Sequence, residues 1–224
     1  MSVVVSLCLA DGIVLAADSR LTIYTEQADG SIIKEFNDNA IKVYRMKNKD
    51  IGIAWCGDYK VGNLPIPKFI EFFEDKIYAE DSIGVVANKL NSYCKGNYRE
   101  NITWLVAGYM DKKQYVYEVT NDIVKRKNLM PSGEPGIGLT WEGAGNICHK
   151  IIKEDVLLRV NGKYLRGSDM PEMSLEDGIA FARELVLQTC YEHEGCGGNI
   201  DVLAIRSDGI KWINRKEAKE IPEI

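Results

Sequence analysis

Ser2, Asp18 and Lys42 are the residues whose types and spacing could perform chemistry in this chain. A serine hydroxyl needs a base to become a nucleophile, and a chain-terminal residue carries one on its own α-carbon, because an α-amino group has a pKa of about 7.7–8.0. Methionine is commonly removed before a residue as small as serine, so loss of Met1 would give Ser2 this arrangement. An ammonium beside the hydroxyl would favour its alkoxide form and stabilise developing negative charge.

Asp18 ends an otherwise apolar run that begins at Gly12. An ionised carboxylate at such a place either reaches solvent or is held by a cation. Lys42, in an apolar stretch before Val43, is the natural counter-ion. The pair could be purely structural, but buried ion pairs stabilise weakly, and this favours a functional role. Without these two partners, Ser2 would be read as an ordinary disordered terminus.

Other chemistries find little support in the sequence. The two histidines, His149 and His193, are too few for a histidine-rich metal site, and a serine-histidine-aspartate triad would lack the Gly-x-Ser-x-Gly elbow. The glycines of residues 133–138 are interrupted by proline and lead into a strand, so they do not form a nucleotide-binding turn. We therefore predict no metal and no cofactor.

Composition narrows the class of protein. The chain has 224 residues, of which 46% are hydrophobic and 27% charged, as in ordinary soluble proteins. It carries a net charge of −5 without a basic run, so a nucleic-acid or membrane-surface partner is not expected. Six scattered cysteines lack Cys-x-x-Cys spacing, which favours neither a disulfide framework nor a zinc site. We predict a cytoplasmic protein with one domain over residues 1–224.

The elements that must position Ser2, Asp18 and Lys42 follow from hydrophobic periodicity. Asp11-Gly12 predicts a two-residue turn with positive φ at both positions, and therefore an opening hairpin. The order of strand pairs and helix pairs lacks alternating βαβ units. We therefore predict an α+β fold, a four-layer αββα sandwich of two mostly antiparallel sheets with a helix pair on each outer face. Further expectations are a projecting hairpin or flap over 21–39, a helix beginning near Pro65, a helix from the N-cap Ser82 to Gly96, a helix over about 146–160, a long helix after the N-cap Ser174, and a charged tail from Arg215.

The motifs resemble a known family. Ser2, the sequence Gly-Ile-Val-Leu-Ala-Ala-Asp-Ser-Arg at residues 12–20, Ile-Lys-Val at 41–43 and Gly57 after a short strand are similar to β-type proteasome subunits and their bacterial relatives, which are N-terminal-nucleophile hydrolases. The resemblance continues weakly to the glycines of 143–145 and 196–198. It implies an αββα sandwich and a homo-oligomeric ring, and leaves open an ATPase partner.

Carried over by position, the resemblance gives each residue a role. Ser2 matches the nucleophilic threonine, Asp18 and Lys42 match the aspartate–lysine pair, and the backbone N–H of Gly57 matches the group that receives the developing oxyanion. Trp55 matches a position in the substrate pocket, although it could equally be a core residue of a buried strand. Leu21 and Tyr59 complete the predicted pocket.

The chain departs from the family around the terminal amine. Serine replaces threonine and so lacks the methyl group that fixes the rotamer. Ala144 stands where the family usually has a serine, and His193 and Cys196 stand where it has an aspartate and a second serine. The outer hydrogen-bonding shell is therefore rebuilt or lost, and activity is expected to be weaker. His193 fits a polar helix-end residue better than a base, and Cys196 is either a packing residue or a redox-sensitive thiol; Tyr191, Glu192 and Glu194 are candidate substitutes.

These residues predict an amide hydrolase, foremost a peptidase acting on peptide or protein substrates. Ser2 attacks the carbonyl, its own amine shuttles the proton, and water then hydrolyses the acyl-enzyme. Two alternatives remain open: a catalytically silent structural or binding subunit of a ring, and a small-molecule amidase on the same fold.

Overall fold

The computed structural model describes residues 1–47, 49–95 and 101–216. Gly96, the predicted end of the second helix, and the part of the charged tail beyond Lys216 lie outside these ranges. Within them the strands are β1 Val3–Leu9, β2 Gly12–Ala17, β3 Leu21–Glu26, β4 Ile32–Asn37, β5 Val43–Arg45, β6 Ile51–Gly57, β7 Lys60–Val61, β8 Leu64–Pro65, β9 Ile102–Met110, β10 Lys113–Val119, β11 Val124–Arg126, β12 Gly138–Gly143, β13 Leu158–Val160, β14 Lys163–Leu165, β15 Asp201–Arg206 and β16 Gly209–Asn214. The helices are α1 Ile66–Glu74, α2 Ile83–Cys94, α3 Asn146–Lys153 and α4 Leu175–Glu192, with a short 3-10 helix at Gly167–Glu172.

Among the described residues the strands form five antiparallel sheets. Two have five strands each, in the orders β12-β1-β2-β15-β16 and β11-β10-β9-β6-β5, and three are two-stranded: β3–β4, β7–β8 and β13–β14. The predicted four-layer αββα sandwich of two sheets is therefore wrong, and only the α+β class is retained. Strand pairing is non-local, so the sequence pattern located strands without showing which of them form separate small sheets.

The described residues form three apolar core clusters. Val3, Val5 and Leu7 of β1 pack with α4 in one cluster, while Val4 lies in a second cluster together with Leu105 of the other five-stranded sheet. Helices α1 and α2 pack with residues of β6 and β9 in the third. Because neighbouring residues of a strand face opposite sides, β1 is buried on both faces and anchors the start of the chain rigidly.

The opening hairpin differs from its prediction at the turn. Leu9 pairs with Gly12, so Ala10 and Asp11 form the turn, and neither has a positive φ. The predicted Asp11-Gly12 turn is therefore wrong. A Cβ on Gly12 would lie 2.6 Å from Cδ1 of Leu175, so this glycine makes room for α4 and does not serve the turn.

Helix starts agree with prediction, and one helix end does not. The hydroxyl of Ser82 accepts a hydrogen bond from the Val85 amide at 3.2 Å, and the hydroxyl of Ser174 accepts one from the Asp177 amide at 3.1 Å. The predicted helix over 146–160 is too long. It ends at Lys153, since Asp155 adopts a φ of 50°, and the chain then enters β13.

The segment between Leu21 and Asn39 contains the predicted projecting hairpin. Strands β3 and β4 pair from Leu21 opposite Asn37 to Glu26 opposite Ile32, and both strands are largely exposed. We call this pair of strands the ribbon. At its base, Arg20 and Asp38 form an ion pair of 2.7 Å.

No helix in the described part of the chain combines the length and the apolar character needed to cross a membrane. The longest helix, α4, has 18 residues and carries charged side chains in its first turn.

Two carboxylates meet between the five-stranded sheets. Glu142 lies opposite Val4 and Glu118 lies opposite Leu105, so both side chains share the face of the cluster between the sheets. Lys127 is ion-paired with Glu118 and lies 4.0 Å from Glu142. Burial and the neighbouring Glu118 carboxylate raise the pKa of Glu142 to about 7, against the opposing effect of Lys127.

The variant Glu142→Gln is expected to change how stability depends on pH. The folded-state pKa of Glu142, about 7, lies above that of an unfolded glutamate, about 4.3. Its stabilising contribution is therefore present below about pH 4.3 and is lost as the pH rises through about 7. The variant avoids this loss. The free energy of unfolding of the variant minus that of the parent should therefore increase between pH 5 and pH 8. Urea unfolding at both pH values measures the difference; the exposed control Glu134→Gln should show no gain, and a constant difference for Glu142→Gln would contradict the assignment.

Candidate active site

Ser2, Asp18 and Lys42 meet in one buried cluster. The Nζ atom of Lys42 donates to Oγ of Ser2 at 2.7 Å, to Oδ1 of Asp18 at 2.8 Å and to the carbonyl oxygen of Arg20 at 2.6 Å. Lys42 and Asp18 are 0% exposed and Ser2 is 6% exposed. All three ammonium hydrogens have acceptors, which fixes the direction of the cation toward the hydroxyl.

Asp18 is held by a cation and does not reach solvent. Its Oδ1 also accepts from the amide of Val3 at 3.0 Å, and its Oδ2 accepts from the amides of Arg20 and Gly197, each at 3.0 Å. These bonds offset the cost of burying a carboxylate. One side chain therefore ties together the start of β1, the segment before β3 and the loop after α4.

The strands place each reactive residue at an element boundary. Ser2 precedes β1, and its carbonyl accepts from the amide of Ala144 at 2.8 Å. Gly143, with a φ of 86°, lies so close that a Cβ would be 1.9 Å from the Ser2 carbonyl oxygen. Asp18 directly follows β2, and Lys42 directly precedes β5.

Met1 precedes Ser2 and is 63% exposed. With Met1 attached, the nitrogen of Ser2 is an amide and cannot act as a base. The terminal nitrogen of Met1 lies beside Gly195, where an added Cβ would be 3.0 Å from it. Removal of Met1 would therefore move the terminal amine onto Ser2, the candidate nucleophile.

Ser2 opens onto a cleft of about 790 Å³. Leu21, Gly57 and Tyr59 line this cleft. Gly57 ends β6 with a φ of 110°, and a Cβ there would lie 1.9 Å from the carbonyl oxygen of Asn101. The position therefore accepts only glycine, which leaves the backbone exposed on the cleft that Ser2 also lines.

Trp55 does not line the cleft. Its side chain is fully buried, and its indole nitrogen donates to the carbonyl oxygen of Ile41 at 3.0 Å. Trp55 was interpreted either as a pocket residue or as a core residue of a buried strand, and the structure places it in the core. Its ring lies behind Tyr59, with the two ring centroids 6.2 Å apart.

The predicted outer shell is only partly assembled. Ala144 contributes its backbone amide to Ser2, whereas His193 ends α4 and its Nδ1 accepts from the amide of Gly195 at 3.1 Å. Cys196 lies in the core cluster around α4, its Sγ 4.0 Å from the Met1 carbonyl oxygen, and burial raises the pKa of its thiol to about 12. These contacts agree with the interpretation of His193 as a polar residue at a helix end and of Cys196 as a packing residue.

The three candidate substitutes make their contacts elsewhere. Tyr191 is 76% exposed, Glu192 pairs with Lys150 at 3.3 Å, and Glu194 pairs with Lys34 of the ribbon. None of these ion pairs includes Ser2.

Sequence reasoning missed the loop after α4 as a support for Asp18. The guanidinium of Arg20 packs on Gly197, where a Cβ would lie 2.5 Å from Cζ, and it binds both carboxylate oxygens of Asp38 at 2.7 and 2.8 Å. It also donates to the carbonyl oxygen of Glu194 at 2.9 Å. The Arg20 guanidinium lowers the pKa of Asp38. The Gly197-Gly198 pair was the available signal, because two glycines after a helix permit this close approach.

No protein-family model matches the chain, and a search of curated proteins finds no match. The family resemblance of the motifs therefore remains an expectation, and an assignment of function depends on the geometry of the site. Within residues 1–47, 49–95 and 101–216, no group of three or more histidine, cysteine, aspartate or glutamate side chains is placed to hold a metal ion.

The variant Asp18→Asn is expected to lower the free energy of unfolding by about 3 kcal/mol, because it leaves the Lys42 ammonium buried without its counter-ion. Urea unfolding at pH 7 measures the loss. The matched variant Asp122→Asn, at an exposed position, is expected to change stability by less than about 0.5 kcal/mol. Equal stability of the two variants would contradict a buried ion pair.

The variant Gly143→Ala separates crowding against Ser2 from backbone strain. Gly143 and Gly133 have nearly equal φ values of 86° and 85°, but a Cβ on Gly133 would meet nothing within 4 Å. Gly133→Ala is expected to lose about 1–2 kcal/mol from positive φ alone. Gly143→Ala should lose more than about 3 kcal/mol, because its methyl group meets the Ser2 carbonyl. Thermal or urea unfolding of both variants is the measurement, and equal losses would show that Gly143 does not crowd Ser2.

Proposed function

We propose that this protein is an N-terminal-serine amide hydrolase that cleaves peptides or proteins through Ser2 once Met1 has been removed. The observation that carries the proposal is the Lys42 ammonium, 2.7 Å from the Ser2 hydroxyl oxygen and itself held by Asp18 at 2.8 Å. A lysine placed in this way stabilises the serine oxygen as it loses its proton.

The reaction proceeds in two steps. In the first, Oγ of Ser2 bonds to the substrate carbonyl carbon while its proton passes to the free amine of Ser2. The amide C–N bond then breaks, the departing amine takes that proton, and an ester joins the substrate acyl group to Ser2. In the second step, water gives a proton to the Ser2 amine and adds to the ester, and Oγ leaves with the proton.

The surrounding residues divide the remaining tasks. The Lys42 ammonium stabilises negative charge on Oγ, and Asp18 holds that ammonium in place. The backbone N–H of Gly57 is proposed to receive the oxyanion, supported by the position of Gly57 on the cleft beside Ser2. Ala144 fixes the Ser2 backbone through its amide.

The cleft supports a peptide substrate. Its volume of about 790 Å³ lies within the range of about 300–1,000 Å³ that is usual for ligand sites. Leu21 and Tyr59 offer apolar surface beside the nucleophile, and the first strand of the ribbon forms one wall. A small-molecule amidase would share the nucleophile but would need less of this cleft.

A homo-oligomeric ring in the cytoplasm completes the proposal. Exposed apolar side chains on the ribbon, Tyr24, Ile32 and Phe36, support burial against another chain. The cytoplasmic location is proposed from the sequence, in which the six scattered cysteines lack the spacing of a disulfide framework. An ATPase partner is left open.

A second candidate is a catalytically silent binding or structural subunit. It is favoured by Ala144, which offers Ser2 only a backbone amide, and by Cys196, whose thiol is buried and whose pKa is raised to about 12. In that case the buried ion pair would remain, but the terminal amine would lack hydrogen-bonding support.

Intact-protein mass spectrometry with a peptide epoxyketone, which reacts with an N-terminal nucleophile, distinguishes the two candidates. Protein lacking Met1 is expected to gain one adduct per chain, and Ser2→Ala should gain none while its peptide hydrolysis falls at least about 1,000-fold. The exposed Ser31→Ala should label like the parent. An unlabelled parent lacking Met1 would reject the nucleophile and favour the silent subunit.

A further inference from the structure

Lys42 is carried by a segment outside the regular strands, residues 40–42, which we call the lysine segment. Its three carbonyl oxygens each accept a hydrogen bond from elsewhere. The carbonyl of Ala40 accepts from the ammonium of Lys216, that of Ile41 from the indole of Trp55 at 3.0 Å, and that of Lys42 from the amide of Trp55 at 3.0 Å. The amide of Ala40 donates to the carbonyl of Ser19 at 3.0 Å.

These bonds take the place of a strand ladder. A lysine side chain has a flexible stem of four carbons. The position of its ammonium therefore depends on where its backbone is held. Lys42 reaches Ser2 only if the lysine segment stays at a fixed distance from β1. Two of the three carbonyls of the lysine segment accept hydrogen bonds from side chains, one from Trp55 and one from Lys216.

Lys216 is itself anchored near the aspartate of the site. Its backbone amide donates to Oδ1 of Asp201 at 2.9 Å, and Asp201 begins β15 opposite Ala17, the residue before Asp18. Burial lowers the pKa of Lys216 to about 8. The end of the described chain is thus attached to β15 through its backbone and to the lysine segment through its ammonium.

Trp55 is rigid for a different reason. Its ring is fully buried between Tyr59 and Trp104, with centroid distances of 6.2 and 6.5 Å. An indole confined in this way directs its N–H at the Ile41 carbonyl without choice of rotamer. The same residue therefore holds two consecutive carbonyls of the lysine segment.

We propose that Lys216 and Trp55 are positioning residues that fix the Lys42 ammonium against Ser2 by holding the backbone carbonyls of residues 40–42. This inference rests on the proposed function for its catalytic consequence. Neither side chain touches the reacting atoms, and each acts through the backbone of the lysine segment.

The decisive variant is Lys216→Met, which keeps much of the apolar stem and removes the donor to the Ala40 carbonyl. Peptide hydrolysis by protein lacking Met1 is expected to lose about 10-fold in kcat with little change in KM, by analogy with supporting residues of other sites. Lys216→Arg should restore most of the rate. Lys211→Met, which removes an equal charge at an exposed position of β16, should behave like the parent.

Hydrogen exchange gives a readout that does not depend on catalysis. The amides of Ala40 and Trp55 donate to Ser19 and Lys42, so they report whether the lysine segment is held. In Lys216→Met these amides are expected to exchange about 10-fold faster than in Lys211→Met. Trp55→Phe, which keeps an aromatic ring but loses the indole donor, should shift kcat and exchange in the same direction.

The outcomes separate the two proposals. A parent with Ser2-dependent hydrolysis, whose Lys216→Met variant keeps both kcat and amide exchange unchanged, would overturn the positioning role and leave the function intact. A parent without hydrolysis, whose variant nonetheless exchanges faster at Ala40 and Trp55, would reject the function and support the hold on Lys42. A decrease of kcat in Lys216→Met that is equally large in Lys216→Arg would also count against the positioning role.

Discussion

The buried ion pair between Asp18 and Lys42 is the constraint on which the rest of the site depends. Removing two charges from water costs several kcal/mol for each ion, and their mutual attraction offsets this only if the remaining hydrogen-bonding groups are also satisfied. Here the carboxylate accepts from three backbone amides, and the ammonium has three acceptors. The pair therefore fixes the relative positions of β1, the base of the ribbon and the loop after α4.

The same pair explains why a serine hydroxyl lies at the start of β1. Stability alone does not account for the pair, since apolar residues of similar volume often stabilise a core as well or better. The third ammonium hydrogen is instead directed to Oγ of Ser2, next to a cleft that the hydroxyl can reach. A charged pair kept in the core and directed at a potential nucleophile is better explained by chemistry than by packing.

Local features of the fold were predictable, whereas most non-local ones were not. Hairpins and helix starts, such as those at Ser82 and Ser174, follow from side chains a few residues apart. The contact of Asp18 with Lys42 was predictable because charges in apolar runs need partners. In contrast, the amide of Gly197 reaches Asp18 across 179 residues, and the glycine pair at residues 197–198 indicates only that a close approach is possible there, not which residue makes it. The turn prediction at Gly12 was wrong because this position lacks a side chain to allow packing against Leu175. The number of sheets was not predictable because it depends on strand pairings that hydrophobic periodicity does not encode.

The orientation of Ser2, the proposed nucleophile, depends on Lys42 more than on its own side chain. A β-branched residue restricts its own χ1, whereas a serine hydroxyl samples more rotamers and needs an external partner to select one. In this chain that partner is the Lys42 ammonium, because Ala144 offers Ser2 only its backbone amide and Cys196 is packed in the core. Under the proposed mechanism, the orientation of Ser2 consequently depends on the backbone of residues 40–42, and through it on the side chains of Trp55 and Lys216.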